Sequence, residues 1–500
     1  MADMQPNNSG VRRLGSLLPE TSADVHVSGI TLDSREVEPG WLYAALPGQR
    51  THGARFAAQA VERGAVAVLT DRDGADLAND VDVPVVVVDD ARRCLGEVAA
   101  AFYGNPSAQL TSFGVTGTNG KTTTVALIAE ALRSLGNSVG TIGTLGARLD
   151  GVPLDAHSTT VTTPEAPDLQ QQLAAMRDSG ADAVALEVSS HALSLERVRG
   201  IQFDVVGFIN LGQDHLDYHR TIDEYFAAKC KLFESGRSKT AVIWTDDDHG
   251  AQLAQTVRRQ VGPKVVTVGT RDADWILRDV QPHGRLGMRG VLEHEDRTCT
   301  IELALPGRHN MVDAAIALVM LDAVGIDIEH AAAGLQHAQI PGRMQRAMFD
   351  DDAPLVIVDF AHTPQAVGAA VEELSQLGPL TTVVGSGGDR DPIKRPLIGA
   401  AAAEHSDLVV ITDDNPRTED PAEIRAAVYE GALRHRAQVV NIGGRADAIA
   451  YALEHTPRGG VVAILGKGHE RGQILADKVI DFDDVLVARA AWGRIQEENR

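Results

Sequence analysis

The sequence predicts an α/β protein of three domains, and three observations lead to that prediction. The chain has 500 residues, and a prior of about one domain per 100 to 200 residues gives about three domains. Short apolar runs alternate with stretches of helical spacing, which is typical of largely parallel sheets. A glycine-rich segment, residues 114–124, lies where a strand turns into a helix, as it does in nucleotide-binding domains.

Residues 1–108 form the first predicted domain, a small α/β unit. Two short apolar strands, 65–70 and 84–88, precede a helical pattern over residues 91–102. The turn sequence Gly104-Asn105-Pro106-Ser107 follows directly, and residues of these types end regular elements. We therefore place the first boundary after residue 108.

Residues 109–342 form the second predicted domain, which has a mostly parallel sheet and begins with a phosphate-binding loop. The apolar strand 110–115 leads into Gly117-Thr118-Asn119-Gly120-Lys121-Thr122-Thr123, and a helical pattern follows. Glycines let the backbone approach an anion, the lysine neutralises phosphates, and the hydroxyl of Thr122 can bind Mg²⁺. Val115 stands where the common pattern has glycine. The alternative is a glycine-rich turn that binds no nucleotide.

Three further residues of this domain have a functional and a structural interpretation. Glu187 lies near the carboxyl end of the apolar strand 183–188, where α/β folds place ligands, so it is either a metal ligand or a surface acid. His215 lies in a polar cluster after the strand 205–210 and is either a ligand or a structural histidine. Lys229, taken alone, is a solvated lysine of a helix.

Residues 343–500 form the third predicted domain, a Rossmann-like doubly wound sheet, which begins after Pro341-Gly342. Its five apolar strands span residues 355–359, 381–385, 407–412, 438–442 and 461–465. Four of them end in polar or glycine-rich segments, which begin at Asp359, Gly385, Asp413 and Gly466. Because the carboxyl ends of parallel strands share one edge of a sheet, where such folds bind ligands, the sequence predicts a second half-site at that edge.

The composition excludes several classes of function. A formal net charge of −23 argues against nonspecific binding to nucleic acid or acidic lipid. Cys94, Cys230 and Cys299 have no metal-ligand spacing, which fits a reducing compartment. No apolar run approaches the ~20 residues of a membrane span, and the first residues contain no signal-peptide pattern. We expect a cytoplasmic protein with no membrane span and no nucleic-acid partner.

These segments, in this order, strongly resemble the Mur ligases of peptidoglycan synthesis, and among them the ligases that add the third residue of the peptide. The resemblance spans nearly the whole chain. It rests on the loop 117–123, Glu187-Val188-Ser189-Ser190-His191-Ala192-Leu193, Asp214-His215 and Ala227-Ala228-Lys229. It implies a UDP-binding first domain, an ATP-binding second domain, an amino-acid-binding third domain and a monomer that acts on small-molecule substrates.

The resemblance implies a nucleotide and metal site. Lys121, Lys229, His215 and Glu187 would be the catalytic residues. Thr122 and Glu187 would bind one Mg²⁺, and Lys229, carbamylated by CO₂, would help His215 hold a second. A carbamate turns the lysine cation into an anion, which is the charge that a metal ion needs. ATP would contact the loop residues 117–123 and three residues farther along the chain, Asn310, Arg343 and Asp359.

The resemblance also implies two substrate subsites. The UDP-linked muramoyl dipeptide would bind residues of the first two domains, Leu32, Ser34, Gln49, Arg50, Thr51, Thr162, Thr163, Ser189 and Arg197. The segment Asp414-Asn415-Pro416-Arg417 resembles the family's motif for meso-diaminopimelate, and Arg390, Gly466 and Glu470 match its companions. A guanidinium fork is suited to the second carboxylate of diaminopimelate, which L-lysine lacks. We expect meso-diaminopimelate as the acceptor, with L-lysine as the alternative.

The implied reaction is ATP-dependent amide formation. The γ-carboxylate of D-glutamate would attack the γ-phosphate of ATP to form an acyl phosphate, and the amine of diaminopimelate would displace phosphate. Phosphorylation supplies the leaving group, and Mg²⁺ with Lys121 offsets the charge. The alternatives are a ligase of the folylpolyglutamate synthetase type and a P-loop ATPase without ligase activity. His52, Asp313 and Phe360 depart from the family pattern.

Overall fold

A computed structural model describes residues 10–48, 50–154, 161–212, 216–284, 286–348 and 353–498. The chain divides into two compact units. The first contains Met1–Asp279, Gly290–Ile301 and Val312–Leu335, and the second contains Val280–Arg289, Glu302–Met311 and Gln336–Arg500. Among the described residues, no helix is both long enough and apolar enough to cross a membrane.

The first unit begins with a small parallel sheet. An antiparallel pair, β1 (Arg12–Arg13) and β2 (His26–Val27), precedes the sheet, whose strands are β3 (Gly29–Thr31), β4 (Trp41–Ala44), β5 (Ala67–Thr70) and β6 (Val85–Val87). The helices are α1 (Leu14–Leu17), α2 (Ala57–Glu62), α3 (Arg72–Ala75) and α4 (Ala91–Phe102). Strands β3 to β6 pair in parallel in chain order. Helix α4 begins where the Asp90 side chain accepts a hydrogen bond from the Arg93 amide, and its apolar face packs on this sheet.

A larger sheet carries the glycine-rich loop. Its strands are β7 (Thr111–Thr116), β8 (Val139–Ile142), β9 (Arg148–Leu149), β10 (Val152–Pro153), β11 (Ala183–Glu187), β12 (Phe203–Phe208), β13 (Ser238–Trp244), β14 (Lys264–Gly269), β15 (Trp275–His283), β16 (Gly287–His294) and β17 (Arg297–Leu303). The strand order is β10-β9-β8-β11-β7-β12-β13-β14-β15-β16-β17. Strands β8, β11, β7, β12, β13 and β14 pair in parallel, so the predicted mostly parallel sheet is confirmed.

The helices that follow these strands are mostly short. They are α5 (Lys121–Ser134), α6 (Ala166–Asp178), α7 (Ser190–Ser194), α8 (Leu216–His219), α9 (Ile222–Cys230), α10 (Asp248–Arg258), α11 (Arg308–Asp322) and α12 (Ile328–Ala333). Helix α5 begins directly after the glycine-rich loop, as the sequence predicts. Its side chains Leu127, Ile128 and Leu132 are buried, because they recur at helical spacing on the side that faces the sheet.

The second unit contains a doubly wound sheet. Its strands are β18 (Gln345–Arg346), β19 (Leu355–Asp359), β20 (Leu380–Val384), β21 (Leu408–Ile411), β22 (Gln438–Asn441) and β23 (Val461–Leu465), with a hairpin of β24 (Gly472–Ile474) and β25 (Val479–Asp481). The helices are α13 (Pro364–Ser375), α14 (Lys394–Glu404), α15 (Pro421–Ala432), α16 (Arg445–His455) and α17 (Asp484–Glu498). The strand order is β18-β19-β23-β20-β21-β22, and the last five pair in parallel.

Both faces of this sheet are covered. Ile357 points to the layer of α13, α14 and α15, whereas its neighbours Val356 and Val358 point to the layer of α16 and α17. This alternation follows from the two-residue period of a strand. The predicted Rossmann-like sheet is confirmed, and the four polar segments follow strands whose carboxyl ends share one edge.

Candidate functional site

The glycine-rich loop connects β7 to the first turn of α5. Gly120 has φ +87°, and a Cβ at this position would lie 2.3 Å from Oδ1 of Asp313, so both the backbone conformation and the space require glycine. Nζ of Lys121 donates to the carbonyl oxygens of Gly117 and Thr118, each at 2.9 Å. A helix N-terminus preceded by such a loop favours phosphate through its N–H groups and its dipole.

Glu187 meets the loop at the end of β11. Its Oε2 accepts from the hydroxyls of Thr122 at 2.9 Å and Thr144 at 3.0 Å, and its Oε1 accepts from the Thr144 amide at 2.8 Å. Glu187 is buried, so the surface-acid alternative is wrong. A carboxylate beside a hydroxyl is the oxygen donor set that Mg²⁺ prefers, and this pair therefore fits the metal.

Thr122 and Glu187 are the predicted ligands of the first Mg²⁺, and both lie among the described residues. No group of three or more His, Cys, Asp or Glu side chains in them has the arrangement of a metal site. His215, which is predicted to hold the second Mg²⁺ together with carbamylated Lys229, lies outside the described residues. Its two interpretations therefore stay open.

Lys229 lies inside the protein beside the same loop. Its residue is 1% exposed, and its Nζ donates to the carbonyl oxygen of Gly117 at 2.8 Å. Nζ also lies 4.5 Å from the ring centroid of Tyr225, whose hydroxyl is 3.2 Å from Oγ1 of Thr118. The interpretation of Lys229 as a solvated helix lysine is therefore wrong, because the fold brings it and Lys121 to the same carbonyl group.

The residues of the second predicted domain that were predicted to bind the muramoyl dipeptide form contacts that lead to Glu187. Oγ1 of Thr163 donates to the Glu187 carbonyl at 2.8 Å and accepts from the Ser189 amide at 3.1 Å. Arg197 donates to the Thr163 carbonyl at 3.0 Å and to Oε1 of Glu165 at 2.9 Å. Oγ1 of Thr162 lies 3.5 Å from Oγ1 of Thr144. The four predicted residues thus extend the Glu187 cluster by direct contacts.

The residues predicted for uridine diphosphate follow two neighbouring strands of the small sheet. Leu32 and Ser34 come after β3, and Arg50 and Thr51 come after β4, which pairs with β3 in parallel. Ser34 is buried, and its hydroxyl donates to Oε1 of Gln59 at 3.0 Å. These residues therefore follow strands whose carboxyl ends share an edge. Gln49 lies outside the described residues.

The second unit contains the other residues predicted for the nucleotide. Asp359 accepts from the amides of Met344 at 2.7 Å and Ala361 at 2.9 Å, and burial raises the pKa of its carboxyl. The guanidinium of Arg343 lies 4.8 Å from the ring centroid of Phe360, within cation–π distance. Asn310 is buried, and its Nδ2 donates to the Pro306 carbonyl at 2.5 Å.

The residues predicted for diaminopimelate gather at the edge of the same unit's sheet. Gly466 has φ +114°, and a Cβ there would lie 2.5 Å from Oδ2 of Asp414. Burial raises the pKa of Asp414, and the charges of Arg445 and Lys467 oppose that rise. Nδ2 of Asn415 donates to Oε2 of Glu470 at 2.8 Å. Asp414, Asn415 and Pro416 are all buried, whereas Arg417 is half-buried.

Two arginines border this edge. Nη1 of Arg417 donates to the carbonyl oxygen of Gly388 at 2.7 Å, and its amide donates to Ile474 at 3.1 Å. Arg417 has φ 53°, a conformation that few non-glycine residues adopt and that clusters at ligand sites. Arg390 is exposed. Both arginines lie next to Gly387, because a Cβ on that glycine would lie 3.0 Å from Nη1 of Arg417 and 3.8 Å from Cγ of Arg390.

Three family models match the chain in order. They are "Mur ligase family, catalytic domain" over residues 26–103, "Mur ligase middle domain" over 115–321 and "Mur ligase, glutamate ligase domain" over 342–468. The chain belongs to the Mur ligase family. The boundaries after residues 108 and 342 stay predictions.

Curated relatives of this Mur ligase cover almost its whole length. A protein of Streptomyces avermitilis is 44% identical to this chain, and the match covers 97% of this chain and 96% of that protein. A protein of Corynebacterium glutamicum is 43% identical, and the match covers 93% of this chain and 92% of that protein. Both are named UDP-N-acetylmuramoyl-L-alanyl-D-glutamate--2,6-diaminopimelate ligase. A solved structure with that name has a TM-score of 0.72 at 32% identity and covers 97% of this chain and 99% of its own.

A more distant neighbour shares the fold of this Mur ligase. Folylpolyglutamate synthase of Mycobacterium tuberculosis has a TM-score of 0.61 at 19% identity and covers 80% of this chain and 94% of its own. At that identity, the likeness concerns the fold alone.

The sequence analysis missed several polar residues that this Mur ligase places at the sites. Thr144 holds Glu187, Glu165 holds Arg197, and Lys467 contacts both Asn415 and Glu470. Asp313, which the sequence analysis named only as a departure from the family pattern, is buried beside the loop, and burial raises the pKa of its carboxyl well above the usual range. Thr144, Glu165 and Lys467 are identified by their hydrogen bonds to predicted site residues, and those contacts require the fold.

Proposed function

We propose that this Mur ligase joins meso-diaminopimelate to the D-glutamate of UDP-N-acetylmuramoyl-L-alanyl-D-glutamate and converts ATP to ADP and phosphate. The supporting observation is that Arg417, Asn415 and Glu470 lie together at the edge of the C-terminal sheet. The chain is also 44% identical to a relative named UDP-N-acetylmuramoyl-L-alanyl-D-glutamate--2,6-diaminopimelate ligase. The chain is thus an ATP-dependent enzyme that forms an amide bond.

The loop and Glu187 serve the phosphorylation step. Thr122 and Glu187 would hold Mg²⁺, which when bound neutralises phosphate charge and polarises the γ-phosphoryl group. Lys121 supplies a positive charge at the same loop. Its ammonium lies 2.9 Å from the Gly117 carbonyl, so a short movement brings it to a phosphate that the loop amides bind. Charge neutralisation at this point lets the substrate carboxylate approach the phosphorus.

Lys229 is suited to carry a carbamate. The neutral amine of Lys229 attacks CO₂, a nitrogen–carbon bond forms, and one proton leaves to solvent. The product is an anion beside the glycine-rich loop, and its N–H can still donate to the Gly117 carbonyl, which Nζ now contacts at 2.8 Å. An anion at this position adds a ligand of the charge that a divalent cation needs.

The acceptor subsite pairs two opposite charges. Glu470 offers a carboxylate to an ammonium, and Arg417 offers a guanidinium to a carboxylate. The distal centre of diaminopimelate carries both groups, whereas the side chain of L-lysine carries only the ammonium. The geometry therefore favours diaminopimelate over L-lysine. Such a reaction consumes ATP and a nucleotide-linked precursor, and for that reason we also propose a cytoplasmic location.

A screen of amino acids for ADP release tests this function. Purified protein is given ATP, Mg²⁺ and the UDP-linked dipeptide, and each amino acid is added in turn. Release that depends on both the dipeptide and meso-diaminopimelate is the expected result. Preference for L-lysine contradicts the acceptor assignment, dependence on a folate and glutamate indicates a folylpolyglutamate synthetase, and release without any acceptor indicates a plain ATPase.

A further inference from the structure

Lys467 is a buried lysine that the proposed reaction does not use. It lies just after β23, and its side chain is 0% exposed. Its Nζ donates to the Gly472 carbonyl at 2.6 Å, to Oε2 of Glu470 at 3.0 Å and to Oδ1 of Asn415 at 3.1 Å. Burying an ammonium is costly unless its donors are satisfied. Three acceptors match its three N–H bonds, so its bonding capacity is used within the protein.

Asn415 takes a defined orientation from this arrangement. Its Oδ1 accepts from Nζ of Lys467 and from the Ile474 amide at 2.9 Å, whereas its Nδ2 donates to Oε2 of Glu470 at 2.8 Å. Rotating the amide by half a turn would place its NH₂ group against two donors and its oxygen against a carboxylate. Lys467 therefore helps to select one orientation of the Asn415 amide.

Glu470 is held by one carboxylate oxygen. In the part of the chain that the structure describes, Oε2 accepts from both Asn415 and Lys467, and Oε1 takes no hydrogen bond. The Glu470 side chain is 35% exposed although Lys467 is fully buried. One carboxylate oxygen of Glu470 is thus fixed by two donors, and the side chain as a whole stays partly exposed.

We propose that Lys467 is a positioning residue for the acceptor amino acid. It lies beneath the site and acts through Asn415 and Glu470, because its own ammonium is shielded from any ligand. By fixing Glu470, it aims the carboxylate that takes the distal ammonium, while Arg417 takes the distal carboxylate. This inference rests on the proposed function, since it assumes diaminopimelate as the acceptor.

The test compares Lys467→Met with wild type in the coupled assay. Methionine is one atom shorter than lysine, keeps an unbranched apolar side chain, and removes the charge and the donors. We expect the KM for meso-diaminopimelate to rise by roughly 10- to 100-fold, as for a lost charge-assisted contact. The KM values for ATP and the UDP-linked dipeptide stay unchanged. Lys478→Met, at an exposed lysine of the β24–β25 turn, is the matched control and leaves all three constants unchanged.

A double-mutant cycle shows whether Lys467 acts through Glu470. If it does, Lys467→Met combined with Glu470→Gln raises the KM for diaminopimelate no further than Glu470→Gln alone, because the shared contact is already lost. Independent, multiplying effects overturn the proposal. The cycle also controls for folding. Lys467→Met leaves the Glu470 carboxylate without its buried partner, which can destabilise the fold, and the double variant removes that carboxylate charge.

The remaining outcomes are decisive as well. An unchanged KM for diaminopimelate in folded Lys467→Met overturns the proposal, and so does a double variant that fails to fold, because Lys467 is then a structural residue only. If wild type releases no ADP in response to diaminopimelate, the proposed function fails instead. That result appears in wild type before any variant is compared, so the two failures are distinguishable.

Discussion

Arg445 and Asp484 form a fully buried ion pair in the second unit. Nε and Nη2 of Arg445 donate to separate oxygens of the Asp484 carboxylate, each at 2.7 Å, and both side chains are 0% exposed. Nη2 also donates to the carbonyl of Leu465 at the end of β23 at 3.1 Å. The pair thus joins the first residues of α16 and α17 to the strand that leads into the diaminopimelate subsite.

Breaking this pair from one side is expected to be costly. Arg445→Met leaves a buried carboxylate without its partner, and we expect a loss of about 3 to 5 kcal/mol in the free energy of unfolding. Urea unfolding measures it, with the exposed Arg434→Met as the control. Arg445→Met combined with Asp484→Leu removes both charges and regains most of the loss. A single variant as stable as wild type contradicts the prediction.

Lys121→Ala is expected to remove turnover and preserve the fold. The lysine contacts carbonyl groups of its own loop, and its charge is needed by the phosphates. We expect ADP release to fall by about 10²- to 10³-fold or more, with the unfolding midpoint close to that of wild type. Lys239→Ala, at an exposed lysine paired with Asp204, is the matched control. ADP release at the wild-type rate by the Lys121 variant would refute the ATP assignment.

Lys229→Ala is expected to bind nucleotide but to phosphorylate its carboxylate substrate poorly, because an anionic ligand to the second metal ion is lost. Removal of bicarbonate from the buffer slows wild type and leaves the variant unchanged. Isotopically labelled bicarbonate gives a carbamate signal by NMR in wild type and none in the variant. A labelled signal that persists in the variant, or full activity of the variant, contradicts the carbamate.

The buried carboxyl of Asp313 is expected to make the free energy of unfolding depend on pH. Burial raises the pKa of its carboxyl well above the usual value in the folded protein, whereas in the unfolded chain the carboxyl ionises with a pKa of about 4. The unfolded state therefore binds fewer protons above that pH, and stability falls as pH rises toward the folded pKa. Asp313→Asn removes this penalty, so its stability relative to wild type increases from pH 5 to pH 7.5 in urea unfolding. A difference that is constant with pH contradicts the prediction.

Local patterns predicted the elements and the strand-end acids. The β7–loop–α5 unit and the five parallel strands of the C-terminal sheet follow from apolar periodicity, and Glu187 follows from its place near the end of a strand. The positions of Lys229 and Lys467 did not follow, because the carbonyl that Lys229 contacts is 112 residues away and the amide that Lys467 contacts is 52 residues away. A lysine in a helix or a loop has the same local pattern whether it is solvated or buried.

Arg417→Ala tests the acceptor most directly. The fork of Arg417 would pair with the distal carboxylate of meso-diaminopimelate, and its loss costs on the order of 2 to 4 kcal/mol when that carboxylate stays desolvated. We expect kcat/KM for diaminopimelate to fall roughly 30-fold to several-hundred-fold, with the KM values for ATP and the dipeptide unchanged. L-lysine lacks that carboxylate, so its kcat/KM, which is already low, falls much less. The ratio of kcat/KM for diaminopimelate to kcat/KM for L-lysine therefore moves toward one.

Two companion variants separate recognition from structure at Arg417. Because its Nη1 also donates to the Gly388 carbonyl, the alanine variant can disturb the loop as well as the substrate. Arg417→Lys keeps a charge but loses the two-pronged geometry, so we expect it to recover only part of the discrimination. Arg436→Ala, at an exposed arginine of the same unit, leaves both acceptors unaffected. If Arg417→Ala reduces turnover equally with diaminopimelate and L-lysine, the arginine stabilises the loop, and the choice of diaminopimelate loses its main physical support.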